Sequence, residues 1–263
     1  TVNTVLAAGA HDQYAASLGA GMTKPGDVLV GSGTSWAVTA LTDRPDFSSG
    51  LPVSRSAVPG MWGTLTSLSY GGACLDWLRK SVLTPEGETP IPYKELDFRC
   101  AGAKAAEKGL FFRPFGENGG GFCGLGPEDD RYSLARAVME GVTYSLCQLV
   151  DIFGSMTQNE KIYTSGGGAA SPLWRQMQAD IFNLPVYTMS AASEGGAYGA
   201  VLVAGVGAGL WANLGEAVKV IHPETEAHPV AENQDGYRRS YAIYKKLYPA
   251  LKPVYDAGAA LGY

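Results

Sequence analysis

This chain is poor in the residues that build metal centres and covalent staples. Of its 263 residues only 3 are His and 4 are Cys. The cysteines, at 74, 100, 123 and 147, never reach CxxC spacing, which excludes a zinc ribbon and a thioredoxin motif. Nothing in their spacing suggests the framework of a small secreted protein, so they read as buried reduced thiols. His222 and His228 stand apart from the i,i+4 spacing of a helical metal pair and have Pro223 and Pro229 beside them; no metal ligand is assigned. Positive charge is also short. Twenty Lys and Arg against 25 Asp and Glu give a net charge of -5, which argues against a nucleic-acid partner. A GxSxG nucleophile elbow is missing, and so is a GxxxxGK[ST] phosphate loop. The longest apolar segment, Ala197 to Trp211, is interrupted by four glycines and reads as a buried helix, not as a membrane span. The first residues, Thr1-Val2-Asn3, lack the basic stretch of a signal peptide and read as the interior of a fold.

What the chain has in excess is glycine: 35 residues, about twice the usual share of ~7 %. The glycines cluster without repeating. With 46 % hydrophobic and 17 % charged residues, the composition is that of a packed globule. No composition shift marks a linker, so the chain reads as one α/β domain. Strands are expected at Val2–Ala8, Val28–Val30, Trp36–Leu41, Leu110–Phe112, Lys161–Thr164 and Leu184–Tyr187, with Val58–Thr64 irregular or a short strand. Helices are expected at Ala10–Ala20, from Gly71, at Tyr93–Lys108, Tyr132–Ile152, Pro172–Phe182, Gly195–Gly207 and Asn213–Ile221. Ser171 and Pro172 have the chemistry of N-cap and first helical residue. The terminal stretch Asn233–Leu261 reads as one or two helices broken at Pro249 and Pro253. The Ala/Gly-rich helix Gly195–Gly207 implies a close neighbour.

Three glycine clusters sit where strands end or helices begin: Gly31-Ser32-Gly33-Thr34-Ser35, Gly71-Gly72, and Gly166-Gly167-Gly168 leading to Ser171. Such places expose backbone N–H groups and suit phosphate; equally, they suit close backbone packing. A flat ring could lie against the third cluster with Ser171 as a polar contact, whereas Trp174 reads as core. The letters GxGxxG occur at Gly119, Gly121 and Gly124, but mid-loop with no helix following, so a dinucleotide site is not indicated. Asp12 follows His11 at the start of a helix. A carboxylate there either caps the helix or accepts the proton of an attacking hydroxyl.

Taken together, these segments resemble the carboxy-terminal domain of the FGGY carbohydrate kinases, most of all xylulokinase-like members. The resemblance rests on Gly9-Ala10-His11-Asp12, Pro25-Gly26-Asp27 with Gly33-Thr34-Ser35, Gly72 to Arg79, Gly120 to Leu125 with Leu134 to Val142, Gly166 to Asp180, and Glu194 to Ala200. It implies an actin/hexokinase-like (ribonuclease H-like) α/β fold, a mixed sheet flanked by helices. It also implies ATP-dependent phosphorylation of a ketose or polyol, with Mg2+ bridging the phosphates. Asp12 would be the catalytic base. Gly33, Thr34, Gly72 and Asp76 would lie on the phosphate side of the nucleotide, and Gly167, Gly168 and Ser171 would flank the adenosine. Asp76 departs from the neutral or basic residue usual there, and the loop Pro114–Gly119 is short and lacks the family's S-G-E-R-x-P wording. Family members run to about twice this length, and the D-x-G-T phosphate loop of their amino-terminal domain does not occur here. The resemblance therefore implies residues 1–263 as the nucleotide-side half of a cytoplasmic kinase, partnered by an amino-terminal domain; a homodimer is compatible with it. A non-catalytic nucleotide-binding module and an ATPase without sugar transfer are the alternatives.

Overall fold

The computed structural model describes residues 4–116, 119–156, 158–190 and 194–259. Its centre is a seven-stranded mixed sheet in the order β3-β4-β2-β1-β7-β8-β9. The strands are β1 (Val28–Ser32), β2 (Trp36–Thr42), β3 (Val53–Arg55), β4 (Trp62–Leu68), β7 (Ile162–Ser165), β8 (Val186–Met189) and β9 (Pro223–Ala227), with β5 (Phe111–Arg113) and β6 (Gly121–Cys123) forming a separate hairpin. β1, β7 and β8 run parallel, and antiparallel strands extend the sheet on both sides. The helices are α1 (Asp12–Gly19), α2 (Gly72–Trp77), α3 (Tyr93–Cys100), α4 (Arg131–Met156), α5 (Gly167–Ala170), α6 (Pro172–Phe182), α7 (Gly195–Gly207), α8 (Leu214–Ala217) and α9 (Ala231–Ala259).

Both faces of the sheet are covered, and the two-residue period of a strand sorts its side chains between them. Val28, Val30, Val38 and Ile162 face a large core with α2, α3, α4, α6 and α9; Leu29, Leu41 and Tyr163 face a smaller one with α1, α7 and α8. This explains why β1 reads as an unbroken apolar run. On the second face α1 and α7 cross at contact distance. A Cβ on Gly199 would overlap the Ala15 carbonyl oxygen, and one on Gly19 would overlap that of Gly195. The close neighbour implied by the Ala/Gly-rich helix is therefore α1.

Several expectations are corrected. The apolar stretch at residues 4–11 forms no strand and is exposed, with Leu6 at 92 %; apolar character without a sheet edge to pair with does not make a strand. Residues 1–3 lie outside the described residues. The helix expected at Tyr93–Lys108 stops at Cys100, because the buried Arg136–Glu140 pair takes its next turn: Arg136 donates to the Cys100 carbonyl at 3.5 Å and Glu140 accepts the Ala106 N–H at 2.9 Å. α7 is not a buried helix. It buries Gly199, Leu202 and Gly205, while Val201 on its other face is exposed. Pro249 and Pro253 do not break α9. The carbonyls they leave unpaired, of Lys245 and Pro249, belong to exposed residues, and Arg113 holds the far turns by lying over the Tyr248 and Tyr255 rings. β3 and β9 went unread, being short and polar, and β4 starts at Trp62 and runs four residues past Thr64, where the stretch expected as irregular or a short strand ended. The glycine-dense loop after Pro114 contains β6, with Gly124 in the left-handed region at φ +79° directly after it. All four cysteines are free; Cys74, Cys100 and Cys147 are buried and Cys123 is half-buried.

Candidate functional site

The parallel pair at the centre of the sheet sets the site. β1 and β7 lie side by side in parallel register, Val30 opposite Thr164 and Gly31 opposite Ser165. The loops that leave their carboxyl ends therefore emerge together, where open α/β sheets hold ligands. The loop after β1 carries Gly33 and Thr34, and the loop after β7 carries Gly166–Gly168. Ser32 ties them: its hydroxyl donates to the Ser165 carbonyl and accepts the Ala169 N–H at 2.9 Å. Gly166, at φ +87°, approaches the Ser32 carbonyl so closely that a Cβ would stand 2.8 Å from its oxygen. The second glycine cluster joins by backbone bonds, with Gly71 and Ala73 donating to the Thr34 carbonyl at 3.1 Å and Gly72 to that of Gly33 at 3.2 Å.

Beneath these loops lies Trp36, fully buried. A Cβ on Gly71 would overlap one edge of its indole, and a Cβ on Gly168 would stand 2.6 Å from Cζ2 on the other. Trp174 packs on it at 4.8 Å between ring centroids and donates its own N–H to Thr143. Two of the clusters thus have a packing reason as well as an exposed face.

Above Trp36 opens a cleft of about 1480 Å3. Gly33, Thr34, Gly72, Asp76, Gly167, Gly168 and Ser171 all line it, so the structure brings together every residue expected on the nucleotide side. Their parts differ. The Thr34 hydroxyl has no hydrogen-bond partner among the described residues, whereas the Gly72 N–H is already donated to Gly33; what Gly72 offers is a bare Cα, since a Cβ there would stand 2.5 Å from the Gly33 oxygen. Ser171 caps α6, accepting the Trp174 N–H at 3.0 Å. Asp76 is enclosed by donors: Oδ1 accepts from Arg79 at 2.9 Å and Tyr93 at 2.7 Å, and Oδ2 pairs with Lys80 at 2.6 Å. Desolvation opposes its ionisation, but the hydrogen bonds from Lys80, Tyr93 and Arg79 outweigh it and hold the carboxyl down at about 2.

Another wall of the cleft is α3, a helix expected from the sequence but without any part in the site. Tyr93, Lys94, Asp97, Phe98 and Ala101 line the cleft from it. Tyr93, Asp97 and Ala101 recur at i, i+4 and i+8, one face of a helix, and that spacing was the available signal. Burial pushes the Asp97 carboxyl up, and a hydrogen bond with Ser171 works against the rise.

Asp12 stands elsewhere. His11 is the N-cap of α1, and Asp12 occupies the first turn, where a carboxylate suits the helix dipole. Its side chain is 80 % exposed; Oδ1 accepts the Gln13 N–H at 2.7 Å and lies 3.1 Å from His11 Nδ1. It does not line the large cleft. A separate hollow of about 610 Å3 borders it, lined by Ala8–His11, Tyr14 and residues 52–57. Tyr14 fixes α1 against β3 and β4 through hydrogen bonds to Ser54 at 2.7 Å and the Gly63 carbonyl at 2.9 Å.

Residues 28–208 match the C-terminal domain of the FGGY family of carbohydrate kinases. This chain belongs to that family. A xylulose kinase of Staphylococcus epidermidis is 29 % identical over 259 residues, covering 93 % of this chain and 51 % of its own. A gluconokinase of Bacillus subtilis is 28 % identical over 278 residues, covering 96 % and 52 %. The crystal structure of xylulose kinase from Rhodospirillum rubrum superposes with a TM-score of 0.84 at 26 % identity, over 93 % of this chain and 51 % of that one. The chain thus spans about half the length of the curated relatives it matches, and its α/β fold with a mixed sheet and flanking helices is that of the FGGY kinases. No helix among the described residues is long and apolar enough to cross a membrane.

Proposed function

We propose that this chain is the nucleotide-side half of an ATP-dependent sugar kinase acting on a xylulose-like ketose, completed by an amino-terminal domain of the same family. The observation that carries the reading is the cleft itself. Three glycine segments far apart in sequence converge on it at the ends of β1 and β7, in a chain whose relatives are named xylulose kinase and gluconokinase. Gly33 and the Thr34 hydroxyl face the phosphates, and Gly167, Gly168 and Ser171 flank the adenosine. Asp12 takes the proton of the attacking sugar hydroxyl as the oxygen–phosphorus bond forms and the bond to the leaving diphosphate breaks. The exposed position of Asp12, outside the large cleft, suits a base that works at a junction with the second domain. A magnesium ion bound with the nucleotide would supply charge neutralisation at the phosphates. Asp76 is already taken by Arg79, Lys80 and Tyr93, so the ion fits here through the phosphates and water more than through protein carboxylates.

The test is to titrate the chain with ATP and Mg2+, then to assay it with a ketose panel, alone and with a supplied amino-terminal FGGY domain. Nucleotide binding without turnover is expected for the chain alone, and xylulose phosphorylation, abolished by Asp12→Ala, for the joined enzyme. Turnover by the isolated chain would refute the half-kinase reading, and full activity of the Asp12→Ala enzyme would remove Asp12 as base. Binding without turnover in the joined protein points to a non-catalytic module, and ATP hydrolysis without sugar transfer to an ATPase.

A further inference from the structure

Two carboxylates line the large cleft, and their surroundings are opposite. Asp76 is saturated by an arginine, a lysine and a tyrosine. Asp97 is half-buried and lines the cleft together with Ser171, yet it makes no ion pair among the described residues. Ser171 Oγ accepts the Trp174 N–H at 3.0 Å, so its own proton is left for a neighbour in the cleft. A carboxylate without a cation has most of its acceptor capacity unused, and a partly desolvated charge with spare lone pairs is costly until a donor meets it. The cleft is where a donor can reach it, because Asp97 lines that space on α3, which packs against α6.

Charge decides which part of a nucleotide can approach. A triphosphate is repelled by an unpaired carboxylate. A nucleoside carries only neutral donors, and a carboxylate binds those with the strength of a charge-assisted hydrogen bond. We propose that Asp97 recognises the nucleoside of the bound nucleotide by accepting a hydrogen bond from a ribose hydroxyl or the purine 6-amine, and that it keeps the phosphates at the Gly33–Thr34 end. This rests on the reading of the cleft as a nucleotide site and adds to it a specificity-determining residue on the α3 wall.

The experiment measures binding of wild-type chain and Asp97→Asn to ATP, 2′-deoxy-ATP, 3′-deoxy-ATP, purine riboside triphosphate (which lacks the 6-amine) and tripolyphosphate. Asn keeps the shape and removes the charge. The expected result is a loss of about tenfold or more for ATP and no loss for tripolyphosphate. Among the analogues, the one missing the partner donor binds both proteins equally weakly, which names the donor. Asp97→Asn binding ATP as wild type does, or weakening all five ligands alike, overturns the proposal; the second outcome assigns Asp97 a structural role. Failure of the wild-type chain to bind any of the five is a different result, since it removes the nucleotide reading itself.

Discussion

Gly168→Ala isolates what the glycine clusters do for the fold. Gly168 lies in α5 at a φ any residue adopts, so helix propensity alone predicts a gain of about 0.5–1 kcal/mol for alanine. Packing predicts the reverse. The added methyl would stand 2.6 Å from Trp36 Cζ2 and 2.9 Å from Ser32 Cβ, about 1 Å inside the separation at which carbon atoms attract. The ring cannot give way. Its other edge is against Gly71, where even a Cβ would overlap it, and Trp174 lies on its face. Ser32 cannot move either without releasing the Ala169 N–H and the Ser165 carbonyl. Overpacking of this kind costs about 1–3 kcal/mol, so the net expectation is a destabilisation of about 1–2 kcal/mol. At Gly167, one residue earlier, an added Cβ would meet only the Ser32 oxygen at 4.0 Å. Gly167→Ala should therefore leave stability unchanged or raised by up to about 1 kcal/mol, while its methyl enters the cleft and weakens ATP binding. Urea denaturation of both variants, read as midpoint and slope, separates the two effects. A Gly168→Ala protein as stable as wild type would falsify the claim that the indole fixes this cluster.

The acid limb of the stability curve should report Asp76. Its carboxyl is held at about 2 in the folded chain and sits near ~3.9 unfolded, so its stabilisation is complete above about pH 4 and fades as pH falls through about 2; Asp76→Asn should flatten that limb in denaturant midpoints measured from pH 5 to 2. Glu140→Ala should cost about 3–5 kcal/mol, because it strands the buried Arg136 and frees the Ala106 N–H that ends α3; calorimetry decides. Asp180→Ala should loosen the start of α9, since Asp180 accepts from the Val230 N–H and Asn233, both at 2.8 Å; faster amide exchange at residues 230–236 is the expected sign.

How far the sequence could be read depended on the range of the interaction. The helix Pro172–Phe182 was legible to the residue because its start is local chemistry, a serine cap followed by proline. The hairpin of β1 and β2 was legible for the same reason. α3 was misjudged because a salt bridge on α4 ends it, and its cleft-lining stripe was overlooked because its polar residues look like any solvated face. Motif wording named the seven residues expected on the nucleotide side, and the cleft they share was not legible.

By itself, then, the sequence determined the family, most of the helices, the central strands β1, β2, β7 and β8, and the excess of glycine at three strand and helix ends, all carried by neighbours along the chain. The tertiary structure decided what those glycines meet. It set β1 beside β7, wedged Trp36 between Gly71 and Gly168, spent the Gly72 N–H on Gly33, and left Asp97 in the cleft without an ion pair among the described residues. Each of these follows from which distant residues approach within a few ångströms, and no local pattern encodes that.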